Sequence, residues 1–190
     1  ALQKLLQAMN QVSAVQVATK PRLLPLTDER LFAHPLLYLH GRYGFALDQG
    51  EQQKLRTYLK QGGVLFADAC CGADEFDQSF RRLAEQLFPG QRLKRIPVDH
   101  ELFSRNTGFE LREVRFRHPI DLQTKTNEER VTRVAPEIEG IEIDGRLAVL
   151  YSRHDLSCAI EHGDRIACPG YVAEDAVKLG LNIVWYSLLQ

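Results

Sequence analysis

The sequence predicts an α/β fold: an open, mostly parallel sheet with flanking helices. Three observations predict it. Short apolar runs at Leu36 to Leu39, Val64 to Ala67 and Leu93 to Ile96 have the length and composition of buried strands. Segments whose apolar residues recur at helical spacing separate them, and strand-helix alternation is the pattern of a sheet with crossover helices. The chain is 190 residues long, with 44% hydrophobic and 26% charged residues, which suits one globular domain with a sizeable core.

The elements follow in order. Leu2, Leu5, Leu6, Met9 and Val12 form an apolar stripe at helical spacing, so a helix begins almost at the first residue. A helix that starts mid-pattern with no cap suggests a fragment of a longer protein. Val15 and Val17 alternate with polar residues, as in a strand. After the run at Leu36 to Leu39, Asp48 and Glu51 have the offset of a capping pair. Leu55, Tyr58 and Leu59 supply the apolar face of that helix, and Gly62-Gly63 stops it. Val64 to Ala67 is the next strand. Asp68 to Gly72 is a tight loop, and Phe76, Phe80, Leu83, Ala84, Leu87 and Phe88 line one face of the helix after it. Pro89-Gly90 ends that helix.

From about residue 105 to 136 the pattern degrades. Leu111 to Phe116 reads as a strand, whereas Gln123 to Arg133 is polar and unpatterned, so the stretch reads as an irregular insertion. Arg112, Arg115 and Arg117 alternate there as on the solvent face of a strand. Ile141 to Ile143 and Leu147 to Tyr151 flank Asp144-Gly145, the signature of a type I′ hairpin. Ala176, Leu179, Ile183 and Tyr186 mark a final helix.

Charge excludes several function classes. Lys+Arg number 24 against 25 Asp+Glu, so the net charge of −1 gives no electrostatic surplus for nucleic acid. No apolar run approaches the roughly 20 residues that span a bilayer, so no direct membrane insertion by this segment is expected. The four cysteines, Cys70, Cys71, Cys158 and Cys168, show no C-x-x-C spacing. Cys158 and Cys168 are close enough in sequence to pair if the domain is exported.

Ligands of open α/β sheets bind at the carboxyl ends of the strands. That rule selects Gly41 to Phe45, Asp68 to Gly72, Val98 to Leu102 and Ser152 to Cys158. The predicted binding rim is Arg42, Tyr43, Asp68, Asp99 and Arg153. The catalytic candidates are Cys70 and Cys71, with His100 or His154 as base and Asp99 or Asp155 to orient it. A cysteine at a strand-to-helix turn can gain thiolate character from the helix start. The same pair also reads as small buried hydrophobes at a crowded turn, and both readings stay open. Cys70, Cys71, His100 and Cys158 are chemically able to ligate a metal, but adjacent cysteines rarely share one ion. No metal and no cofactor are therefore expected.

Several of these residues resemble a family in their order and spacing. Pro35 to Leu39, Gly62-Gly63, Asp68 and the run from Phe76-Asp77 to Leu87-Phe88-Pro89 resemble the bacterial family called domain of unknown function 4159. His100-Glu101-Leu102-Phe103 is similar to its His-Pro-Leu-Phe stretch, with Glu101 in place of proline. Gly140-Ile141, Asp144-Gly145-Arg146, Tyr151-Ser152, Asp155-Leu156 and Asp175 to Asn182 are similar to its C-terminal half. The resemblance implies a flavodoxin-like fold of the class I glutamine-amidotransferase type, within larger exported or membrane-attached proteins. It implies no known activity. Amidotransferases carry their nucleophile in a Gly-x-Cys-x-Gly elbow with a late His-x-Glu partner. Here Cys70 takes the elbow position, Asp68 stands where the first glycine belongs, and no His-x-Glu follows. The expectation is a single domain over residues 1–190, lacking a complete glutaminase set. It would serve as a binding module for an unknown small molecule or protein. A thiol-dependent hydrolase or transferase is the alternative.

Overall fold

The computed structural model describes residues 1–14, 16–119, 130–163 and 168–190. Among them, a five-stranded sheet has the order β1 (Leu36–Gly41), β2 (Val64–Ala69), β7 (Arg146–Ser152), β6 (Ile138–Ile143), β3 (Lys94–Arg95). The pairs β1–β2 and β2–β7 are parallel, while β7–β6 and β6–β3 are antiparallel. The sheet is thus mixed, not mostly parallel. The hairpin explains why: β6 and β7 are joined by Asp144 and Gly145, both in the left-handed region (φ 51° and 81°) that a type I′ turn requires. A two-residue turn can only return the chain antiparallel.

Helices cover both faces. On one side α2 (Gln49–Lys60) and α3 (Asp74–Leu87) pack on Leu65, Ala67, Ala148 and Val149. On the other, α1 (Leu2–Val12), α4 (Ser157–His162) and α5 (Ala173–Leu189) pack on Val64, Phe66, Leu147 and Leu150. With helices on both faces, β2 is buried along its whole length, which is why it reads as a continuous apolar run.

Local chemistry fixes the element ends. Asp48 and Glu51 form the capping box of α2: the Asp48 carboxylate accepts from the Glu51 amide at 2.9 Å, and Glu51 accepts from the Asp48 amide at 2.9 Å. At its far end the chain passes so close to Tyr58 that a Cβ on Gly63 would lie 2.1 Å from the ring, so only glycine fits. α1 docks on α5 in the same manner, with Leu5 against Gly180.

Four sequence expectations change. Residues 16–20 form no strand; Val17 is held instead by both ends of the Asn10 amide (2.9 and 2.8 Å), and Val15 lies outside the described residues. The strand at Leu93 to Ile96 shrinks to the two residues of β3. The insertion contains part of a second sheet, of order β5 (Val131–Val134), β4 (Val114–Arg117), β8 (Gly170–Tyr171), all antiparallel. Most of the polar run 123–133 lies outside the described residues. Arg117 is also not a solvent-face residue: it is buried, and its Nε donates to the Cys168 carbonyl at 3.0 Å.

Candidate functional site

β2 and β7 are parallel neighbours, yet the chain leaves them toward opposite faces. From β2 it turns into α3, and from β7 into α4. In open α/β sheets, divergence of this kind is where a ligand crevice is expected, at the carboxyl ends of the two strands. The loops at its lip are Ala69 to Ala73 and Arg153 to Ser157.

Two carboxylates build the crevice. Asp68, the penultimate residue of β2, is fully buried; its oxygens accept the amides of Leu156 (3.0 Å) and Ser157 (2.9 Å) from the opposite loop. Asp155, also fully buried, answers from the β7 side. Its Oδ1 accepts the amides of Cys71 (2.9 Å) and Cys158 (3.3 Å), and its Oδ2 accepts that of Ala159 (3.1 Å). Each loop thus donates its backbone to the other's acid. Burial pushes the Asp68 carboxyl up to about 7, and the nearby Asp155 adds to the push, against the two amide hydrogen bonds.

The cysteines meet at this seam. A short 3-10 turn, Cys70–Gly72, connects β2 to α3, and Cys71 within it is left-handed at φ 53°, ψ 21°. That conformation costs a non-glycine residue about 1–3 kcal/mol and directs adjacent side chains differently from an extended run. Cys70 Sγ lies 3.1 Å and Cys71 Sγ 3.8 Å from Cys158 Sγ. Cys71 is disulfide-bonded to Cys168 (Cα–Cα 5.1 Å), while Cys70 and Cys158 are free thiols, both partly buried. All four cysteines therefore gather in one place. The pairing of Cys158 with Cys168 considered from sequence is replaced by Cys71–Cys168, because β8 brings Cys168 back beside the β2 turn: Gly170 bridges to Asp155. Sulfurs of Cys70, Cys71 and Cys158 and a carboxylate oxygen of Asp155 lie within 4.8 Å of one another. Burial, the Cys70 thiol and Asp155 together push the Cys158 thiol up from its ordinary value.

The histidines are placed elsewhere. His154 turns toward the small sheet. Its Nε2 is 2.8 Å from Glu137 Oε2, and its ring packs edge-on against Phe116 at 4.8 Å. His100 caps a 3-10 turn, where its Nδ1 accepts from the Leu102 amide at 3.0 Å. Its ring lies 6.1 Å from that of Tyr186, whose hydroxyl accepts from Leu147 at the opposite end of β7 from Ser152. Buried Asn182 of α5 holds the segment behind His100, donating to the carbonyls of Leu102 (2.8 Å) and Phe109 (2.9 Å). The loop after β3 consequently leaves the rim, and Asp99 stands exposed outside it.

The remaining rim residues divide. Arg42 and Tyr43 are exposed on the loop after β1, Tyr43 at 77%. Arg153 spans the crevice mouth, donating to the Gly72 carbonyl and pairing with Asp74 at the start of α3. The first turn of α3 carries Asp74, Glu75 and Asp77, so that helix start offers the thiols no net positive field. A separate open groove of about 430 Å³ lies at the β3 edge, lined by Arg92, Lys94, Arg95 and Glu142 among others; its lining contains neither thiol nor imidazole.

What sequence reasoning missed is Cys168 as a member of the group and Asp155 as its clamp. The strand-end rule selects the loops of Cys70, Cys71, Asp155 and Cys158 but not the segment of Cys168. Their adjacency depended on β7 lying beside β2, a pairing between residues more than eighty positions apart. No helix among the described residues is long and apolar enough to cross a membrane. No curated protein matches the chain. The family model described as Domain of unknown function (DUF4159) matches residues 1–188, nearly the whole chain.

Proposed function

We propose that this chain, which belongs to the DUF4159 family, is a ligand-binding module of a larger bacterial protein, built on an amidotransferase-like fold without a complete glutaminase set. Its binding site is the cysteine-lined crevice between β2 and β7. One observation carries this reading: both buried acids at the crevice are engaged by backbone amides, and both candidate histidines are engaged away from the thiols. The carboxylate beside the Cys158 thiol, that of Asp155, already accepts three backbone amides, and neither His100 nor His154 pairs with a thiol, so the histidine base that acyl transfer would use is not in place. Exposed Arg42 and Tyr43, on the loop after the adjacent strand β1, offer a further surface for ligand or partner contact. The order β1–α2–β2–α3 with helices on both faces supports the amidotransferase-like architecture.

The test is turnover. Reduced protein is incubated with glutamine and with an activated thioester and ester. The expected result is no hydrolysis above a Cys70→Ser, Cys158→Ser double variant. Hydrolysis that this variant abolishes and His154→Ala or His100→Ala slows would overturn the reading in favour of a thiol hydrolase or transferase.

A further inference from the structure

We propose that the ligand of this crevice is a thiophilic metal ion of the zinc class, held by the sulfurs of Cys70, Cys71, Cys158 and Cys168. The proposal rests on the binding-module reading and names its ligand. Tetrahedral zinc-sulfur bonds of about 2.3 Å set the edges between sulfurs at about 3.8 Å. The Cys71–Cys158 separation is 3.8 Å and the Cys70–Cys158 separation 3.1 Å, so three sulfurs already stand near the edges of such a tetrahedron. The fourth, on Cys168, is bonded to the Cys71 sulfur, and breaking that bond frees it beside the other three.

Adjacent cysteines ordinarily point apart, which argued against a shared ion. The left-handed backbone at Cys71 removes that objection, since both neighbours reach the same Cys158 sulfur. The support around the sulfurs also has the form of a metal site. One oxygen of buried Asp155 holds the amides of two ligand residues, Cys71 and Cys158, which fixes their backbones before an ion arrives. Two guanidinium groups bond ligand-bearing loops at their carbonyls, Arg153 at Gly72 and Arg117 at Cys168, and each can offset the negative charge of a tetrathiolate. Sulfur donors that outnumber the single nearby carboxylate of Asp155 favour zinc, cobalt or iron over magnesium or calcium.

Reduction of the Cys71–Cys168 disulfide completes the ligand set. A phosphine supplies two electrons: the S–S bond breaks, water provides the two thiol protons and its oxygen, and the phosphine leaves as its oxide. Binding one divalent ion to four thiols then forms four metal-sulfur bonds and releases four protons, so the site couples metal affinity to the redox state of one disulfide.

The experiment uses the 190-residue chain. It is reduced anaerobically with a water-soluble phosphine, desalted, and titrated with Co(II), then with Zn(II) in competition. The expected result is one Co(II) per chain, with the intense ligand-field bands and sulfur-to-cobalt charge-transfer absorption of a tetrahedral thiolate site, displaced by Zn(II). Protein with the disulfide intact gives no such spectrum. Cys158→Ser and Cys168→Ser each change the four-sulfur spectrum. Asp155→Asn keeps it while weakening zinc binding by about 10–100-fold. Reduced wild-type protein that takes up no cobalt in a thiolate field, or a Cys168→Ser spectrum identical to wild type, overturns the proposal. The wild-type measurement decides even if a variant fails to fold. Absence of both metal and turnover refutes the metal alone; turnover dependent on the cysteines refutes the module reading whatever the metal result.

Discussion

Two buried acids, one in the loop after β7 and one at the start of α5, do similar jobs with different partners. Asp155, at the crevice, is satisfied by three backbone amides. Asp175, at the start of α5, also accepts a backbone amide, from Arg115 at 2.6 Å, but the same arginine's side chain adds bonds at 3.0 and 2.9 Å. Glu174 grips that guanidinium from outside at 2.7 Å. The difference teaches what each region is for. Asp175 and Arg115 close on themselves and latch the small sheet to α5. Asp155 takes its bonds from backbone amides and holds two cysteine backbones in place.

Removing each acid tests that contrast. The largest effect is expected from Asp155→Ala. It strands one buried and two partly buried amides and frees two loops, so stability should fall by about 3 kcal/mol or more, read as a lower urea midpoint. A loss under about 1 kcal/mol would show that the loops hold each other without it.

Asp175→Ala should cost less, about 2 kcal/mol, because Arg115 keeps Glu174. Its pH signature separates it further. Burial pushes the Asp175 carboxyl up, but the hydrogen bonds and charge of Arg115 outweigh this and hold it below the ordinary value of 3.8. The native state therefore favours the ionised form. That contribution is fully present above pH 3.8 and is lost as the pH falls through the lower folded-state value. Asp175→Asn should flatten the acid limb of a stability-against-pH curve; an unchanged limb would mean that other carboxylates set it.

The smallest effect calibrates the other two. Asp48 also accepts a backbone amide, but at an exposed helix start. Asp48→Ala should cost about 1 kcal/mol by thermal melting. If it equals Asp155→Ala, burial adds nothing to an amide clamp and the contrast fails.

Local rules made much of the fold legible. The capping box at Asp48 and Glu51, the Asp144-Gly145 turn and the apolar face of α3 are each determined by residues within a few positions of one another. Legibility ended where distant segments decide the outcome. The direction of β6, the placement of Arg117 beneath Cys168 and the departure of His100 toward Tyr186 all depend on packing across the sheet. The candidate site shows both sides. The strand-end rule picked out Cys70, Cys71, Asp155 and Cys158, because chain termini of parallel strands are a local feature. The grouping with Cys168, and the choice of Cys71 as its partner, came from β8, a strand of two residues with no apolar pattern to announce it.

The position of β7 has a consequence for how the molecule comes into being. The strand at the centre of the main sheet is the last of its five to appear in the chain, and it docks on a β2 laid down much earlier. Contacts so far apart in sequence close late and slowly, after local helices and hairpins have formed. Until that insertion, Cys70 and Cys71 sit at the open edge of an unfinished sheet with neither Asp155 nor Cys158 beside them. The crevice exists only once β7 has docked on β2, so any chemistry that depends on it reports that the sheet has been completed.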